Sequence, residues 1–446
     1  RGGYGIFYGP WNYPAPGTTG YAQYGYTGST TLSQNTLVPI TSIDNPFPGG
    51  LQQPTENTLG LLTGTGGNIG FIDPDKGAPR VQQYSFDVQR ELPHNMSLTV
   101  GYVGSRGSNL GWGGTANTSI NINQLDPKYF ALGTQLTQAD PNPFFGIPEA
   151  GSFASQTTIQ RGQLLRPFPQ FGNISMTQST GAKSLYHAAV FTLRRRMVGG
   201  WGGSVTYTLS RLEDNQFGQD NYYSSAPGVL DNYTVIPGSP QYNPDSLYGL
   251  SLLDSPHKLV ISPIVELPFG SGRRFLNHEG MLDYLVGGWS LSFVGSIQSG
   301  FPLGVSQNNN NTGLFGANQR PNVKSGVPFL MPGDITERLK QDVVNDNKYL
   351  NPDAFELAPA QTFGNAPRIL PDVRSPGRAS LDMALNKDVR TTGNSKLIVR
   401  VEVINLTNTP YYAGFASLAF GSAQFSQVTT QANYSRLTQI TLRYVW

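Results

Sequence analysis

The chain has 446 residues, a formal net charge of +2, no cysteine, and only 13% charged residues. That charge density is about half the usual share for a soluble domain. The balanced charge gives nucleic acid no electrostatic footing as a partner, and the missing thiols exclude disulfides and thiolate metal sites. No apolar run is long enough for a membrane-crossing helix, but barrel strands escape such a scan.

Residues 1–9 (RGGYGIFYG) read as a strand entered in full stride, with neither a start methionine nor a signal peptide before it. We therefore expect residues 1–446 to be the C-terminal part of a longer barrel protein. Nine further segments carry strand periodicity: 80–91, 95–105, 184–196, 201–212, 256–267, 285–300, 378–391, 395–405 and 436–446. Val205, Tyr207 and Leu209 alternate with Thr206, Thr208 and Ser210. Leu381, Met383 and Leu385 alternate with Asp382, Ala384 and Asn386, and Leu397 to Val403 enclose Arg400 and Glu402. The last strand is the most telling, because Ile440, Leu442, Tyr444 and Trp446 share one face and Gln439, Thr441 and Arg443 the other. An apolar face for lipid, a polar face for a lumen and a terminal aromatic at the interface suit a transmembrane strand better than a fraying soluble edge. Helical periodicity is confined to Asp334–Val344, where Asp334 is placed to cap a short helix.

The connections sort by length. Counting back from Trp446, residues 92–94, 197–200, 268–284 and 392–394 become short inner turns. Residues 10–79, 106–183, 213–255, 301–377 and 406–435 become long outer loops, as barrels in bacterial outer membranes arrange them. Trp201, Trp289, Tyr444 and Trp446 then fall near the inner interface as an aromatic girdle. Phe171–Gln178 also reads as a strand, but counting it would reverse the sidedness of everything before it. We assign it to a hairpin extension of loop 106–183 above the membrane. The expected fold is all-β: a transmembrane antiparallel barrel sheet with ten strands in this chain.

Motifs for chemistry are sparse. His94, His187, His257 and His278 lack a metal-ligand partner one helical turn away, and Gly64–Gly70 misses the dinucleotide spacing. Asp73 and Asp75 begin like a calcium loop without its distal Glu. No catalytic, cofactor or metal residue is assigned, and the Asn308–Asn311 run reads as a solvated loop tip. Arg195 is expected to emerge at the inner interface. Arg194 and Arg196 share the other face, where a lumen contact and a plain strand end are equally open readings. In loop 213–255, Tyr222, Tyr223 and Tyr233 stand among Glu213, Asp214, Asp220 and Asp231 as candidate contacts for an extracellular ligand.

Several phrases, in order, carry a family likeness: RGGYGIFYG at 1–9, NPFPGGL at 45–51, VQQYSFDVQRELPHNMSLTVGYVGSRGSNL at 81–110, SPHKLVISPIVELPFGSGRRF at 255–275, FGNAPR at 363–368 and VRVEVINLTNTP at 399–410. On these the chain resembles the C-terminal barrel half of the Oar-like TonB-dependent receptors common in Acidobacteria, which carry a carboxypeptidase-regulatory-like N-terminal domain. It departs from them in ending on Trp446 where Phe is usual. The resemblance implies a 22-stranded barrel around a plug, energised uptake of an unidentified ligand through the lumen, and contact with TonB through a region outside these residues. It also implies outer-membrane lipid as surroundings and recognition of 436–446 by the barrel-assembly machinery. Two other readings stay open at this point: a ten-stranded barrel enzyme like the omptin proteases, with His257 as the one candidate near an outer strand end, and a structural or adhesion barrel.

Overall fold

The computed structural model describes residues 1–9, 24–31, 41–112, 119–216, 243–277, 280–308, 319–342, 346–390, 395–412 and 414–446. Ten long strands form the path of one antiparallel sheet: β1 (Gly2–Tyr8), β2 (Arg80–Leu92), β3 (Met96–Gly111), β4 (Thr180–Val198), β5 (Trp201–Asp214), β6 (His257–Glu266), β7 (Trp289–Gln298), β8 (Arg378–Arg390), β9 (Lys396–Ile404) and β10 (Leu437–Val445). Each pairs with its neighbours in chain order, and Gly249–Leu250 adds an eleventh, two-residue strand to the end of β5. β1 and β10 occupy the two ends of the path and do not pair with each other.

The ten segments expected from periodicity are these ten strands. The main differences lie at the loop ends, where β3 and β4 stay paired as far as Gly111 opposite Thr180 and so outrun the bilayer. One start is corrected. Residues 285–288 are not strand, because Met281–Val286 forms a short helix and β7 begins at Trp289. The 268–284 turn is thus a small folded element. The Asp283 carboxylate accepts from Ser271 N at 2.6 Å, and Lys387 Nζ donates to Leu285 O and Gly287 O at 3.1 and 2.7 Å.

The short turns show why the strands reverse where they do. Between β4 and β5 only Gly199 and Gly200 intervene, both at positive φ (66° and 83°), as a two-residue hairpin matching the strand twist requires. Between β2 and β3, His94 and Asn95 take φ of 63° and 60°, so His94 is a turn residue. The turn 392–394 lies outside the described residues.

The long connections fold as well. Ile174–Thr177 is the middle strand of a three-stranded sheet, antiparallel to Ser119–Asn121 and parallel to Ile69–Ile72. The expected extension of loop 106–183 is therefore present, but it recruits a strand from loop 10–79 and is more than a hairpin. Asp334 caps the helix Ile335–Gln341 as expected, accepting from Thr336 N and Glu337 N. The largest buried cluster comprises Leu303, Val305, Leu350, Phe355, Leu370 and Phe425 with their neighbours, drawn wholly from loops 301–377 and 406–435.

Candidate functional site

Register decides which residues share a face, because directly paired residues of antiparallel strands point to the same side. Following the pairs from β10 back to β1, one face carries Leu442, Val399, Leu385, Leu291, Val265 and Trp201, then Leu193, Val100, Val88, Phe86, Tyr84 and Tyr4. It is apolar across all ten strands. Trp201, Trp289, Tyr444 and Trp446 all lie at its short-turn end, with the Tyr444 and Trp446 rings stacked at 6.3 Å. Toward the loop end the same face carries Tyr84, Tyr102 and His187 in a stacked row, and Tyr207 against His257. Tyr102 Oη bonds His187 Nδ1, and Tyr207 Oη bonds His257 Nδ1 at 2.8 Å. His257 thus serves an aromatic row, and among the described residues no group of His, Asp and Glu is arranged to hold a metal ion.

The opposite face is polar and bonded across strands. Thr192 meets Thr206 at 3.2 Å, Ser204 meets Ser262 at 2.9 Å, and Ser296 meets Ser380 at 2.8 Å through their hydroxyls. Arg194 and Arg196 lie on this face, with Arg196 3.5 Å from Glu91, and with Gln89, Ser97 and Ser262 they line a concavity of about 660 Å³ at the short-turn end. Arg195 lies on the apolar side. Its guanidinium stacks 3.7 Å from the Trp201 ring and donates to His94 O and Val198 O, both at 3.0 Å. That is the interfacial strand end expected for Arg195.

At the loop end two buried ion pairs lock the connections together. Arg368 reaches Asp214 at 3.0 Å and also donates to Gln216 O and Leu250 O. Arg374 reaches Asp254 at 2.6 Å and donates to Gly300 O, while the other Asp254 oxygen accepts from Leu212 N. Between these pairs opens a cleft of about 560 Å³ lined by Arg211, Tyr248, Leu250, Pro367 and Asp372 among others. Burial, followed by the nearby Glu213 and Asp214 carboxylates, pushes the Tyr248 phenol above its ordinary value, which keeps it a neutral hydrogen-bond donor. The sequence reading missed Arg368, Arg374 and Asp254. Arg368 closes the FGNAPR phrase, but nothing in its neighbours announces a partner more than a hundred residues away. Tyr222, Tyr223 and Tyr233, the candidate ligand contacts, lie outside the described residues, as do Asp220, Asp231, His278 and Asn309–Asn311.

A sheet with one mainly apolar face, one hydrogen-bonded polar face, short turns at one end and folded loops at the other defines a membrane-spanning β-barrel protein. The chain belongs to the outer membrane beta barrel domain family, whose model matches residues 1–439, and its place is the outer membrane. No curated protein matches the chain. Among solved structures it is similar to the outer membrane transporter YddB from Escherichia coli, with 8% identity and a TM-score of 0.38 over 85% of this chain. It is also similar to FpvA of P. aeruginosa bound to a heterologous pyoverdine, with 10% identity and a TM-score of 0.35 over 83% of this chain. The chain spans 34% and 28% of the length of those two chains.

Proposed function

We propose that the chain is the C-terminal part of the barrel of an Oar-like TonB-dependent receptor, which takes up an extracellular ligand through its lumen. The observation that carries this reading is the continuous polar face of ten strands whose end members, β1 and β10, do not pair. Such a sheet is suited to form part of the wall of a wide, water-lined ring completed by further strands of the same protein. A ten-stranded enzyme barrel would instead seal β1 to β10. The ordered family phrases favour the same conclusion, and they bring with them the plug and the contact with TonB outside these residues. Trp201, Trp289, Tyr444 and Trp446 form the inner aromatic girdle in this reading, and 436–446 is the segment read by the barrel-assembly machinery. The ligand meets the outer loops, where the tyrosines at 222, 223 and 233 remain the candidate contacts and Tyr248 joins them.

The test is binding of the full-length protein to the purified periplasmic domain of the same organism's TonB. Saturable capture is expected. No capture, together with a structure in which residues 2–8 pair along their length with 437–445, would replace this reading with a small closed barrel.

A further inference from the structure

We infer that the short-turn end of the apolar face holds an anionic phospholipid of the inner leaflet, with its headgroup at Arg195 and an acyl chain in the adjoining groove. This rests on the family's outer-membrane setting, in which short turns are periplasmic, and not on what the lumen carries. Three observations converge. A small hollow of about 150 Å³ opens on that face, walled by Met96, Leu193, Val205, Ile261 and Pro263. It exists because β5 is bulged between Trp201 and Gly203. Only glycine fits at 203, since a Cβ there would lie 2.6 Å from Ser262 O and 2.7 Å from Pro263 Cα at a φ of +146°.

Beside the hollow, Arg195 lies flat on Trp201, and only two of its five N–H donors are taken, by His94 O and Val198 O. A guanidinium with a donor to spare, held on an interfacial indole, matches a phosphodiester.

The third observation is the sign of the charge. By register the cations of this face near the short turns are Arg90, Arg195 and Lys387, whereas Glu91, Glu266 and Asp388 belong to the polar face. No carboxylate side chain of the ten strands faces lipid at that end. Of these three, Arg195 is the one that borders the hydrophobic groove.

Full-length protein in neutral detergent, given phosphatidylglycerol and phosphatidylcholine in equal amounts and analysed by native mass spectrometry, is expected to retain phosphatidylglycerol preferentially. Arg195→Gln should lower that preference about fivefold, the ~1 kcal/mol a basic side chain contributes against an anionic lipid surface. Arg443→Gln, on the polar face of β10, should leave it unchanged. Ile261→Trp, which fills the groove but keeps Arg195, should reduce retention of phosphatidylglycerol. Equal retention of the two lipids by the unaltered protein would overturn the inference without any variant, as would equal shifts in Arg195→Gln and Arg443→Gln.

Discussion

On β10, Ile440 and Leu442 are 67% and 69% exposed, whereas Leu303, Val305 and Leu350 in the outer loops are fully buried. The two regions solve the same problem in different solvents. A spanning strand leaves its apolar side chains bare because lipid is as apolar as they are, and satisfies its backbone by pairing alone. A loop above the membrane stands in water and has to bury its own apolar residues. Loops 301–377 and 406–435 do so around Phe355, whose ring lies 5.6 Å from Phe425, 5.7 Å from Phe420 and 5.7 Å from Phe329. The protein-packed core of this chain therefore sits outside the spanning region, and the same residue type has opposite value in the two places.

The largest expected effect follows from that difference. Phe355→Ala removes a fully packed ring and should destabilise the loop cap by about 3–5 kcal/mol, whereas Leu442→Ala, which only exchanges side chain for lipid, should change the barrel little. Proteolysis of the cap in intact outer membranes would check the first, and heat-modifiable migration the second. If Leu442→Ala were as damaging as Phe355→Ala, the apolar face would be a protein interface and not a lipid face.

Close behind comes the buried ion pair. Arg368→Ala strands Asp214, whose side chain is 5% exposed, and an uncompensated buried charge costs about 3–5 kcal/mol. Hydrogen exchange should quicken in residues 244–254 and 366–375 together, because the two loops share that clamp. Exchange confined to one segment would mean that they are independent.

A pair of neighbouring substitutions separates the two faces of the sheet. Ile261→Arg puts a cation into lipid near mid-strand and should cost about 2–4 kcal/mol in barrel stability, whereas Ser262→Arg, one residue on, faces the polar side and should assemble normally. Refolding into bilayers across a denaturant series reads both.

Much of this contrast was legible in the sequence, and the reason is periodicity. Strands β1 to β10 show because alternation over seven or more residues is a signal that a single chain carries on its own. The cap does not show. Leu303, Val305, Phe355 and Phe425 come from stretches where strands are two or three residues long, too short to express any period. The parallel pairing of Ile69–Ile72 with Ile174–Thr177 joins segments a hundred residues apart, and no local rule announces it. The helix Met281–Val286 does not show either, because MLDYLV precedes the apolar start of β7 without a capping side chain. The side taken by Arg195 does show, since strand parity alone puts it opposite Arg194 and Arg196.

The smallest predicted effect lies at alkaline pH. The Tyr349 phenol, buried in the cap and donating to Arg374 O at 2.6 Å, is pushed up to about 12 by that burial. An acid raised in the folded state stabilises fully below its unfolded value near 10, and loses that stabilisation as pH rises toward about 12. The cap should thus weaken over that window. Tyr349→Phe should lose about 1 kcal/mol at neutral pH with the hydrogen bond and show a flatter alkaline limb. An unchanged limb would place the alkaline loss elsewhere.

The central claim, that one face of this sheet meets lipid and the other water, is tested most directly by spin-label accessibility along β6. The chain has no native cysteine, so single labels at 258–262, 264 and 265 in the full-length protein in bilayers can be compared one by one. The structure predicts maxima for oxygen at Leu259, Ile261 and Val265, and maxima for a water-soluble relaxant at Lys258, Val260, Ser262 and Ile264. Accessibility without a period of two, or with the two sets exchanged, would contradict it.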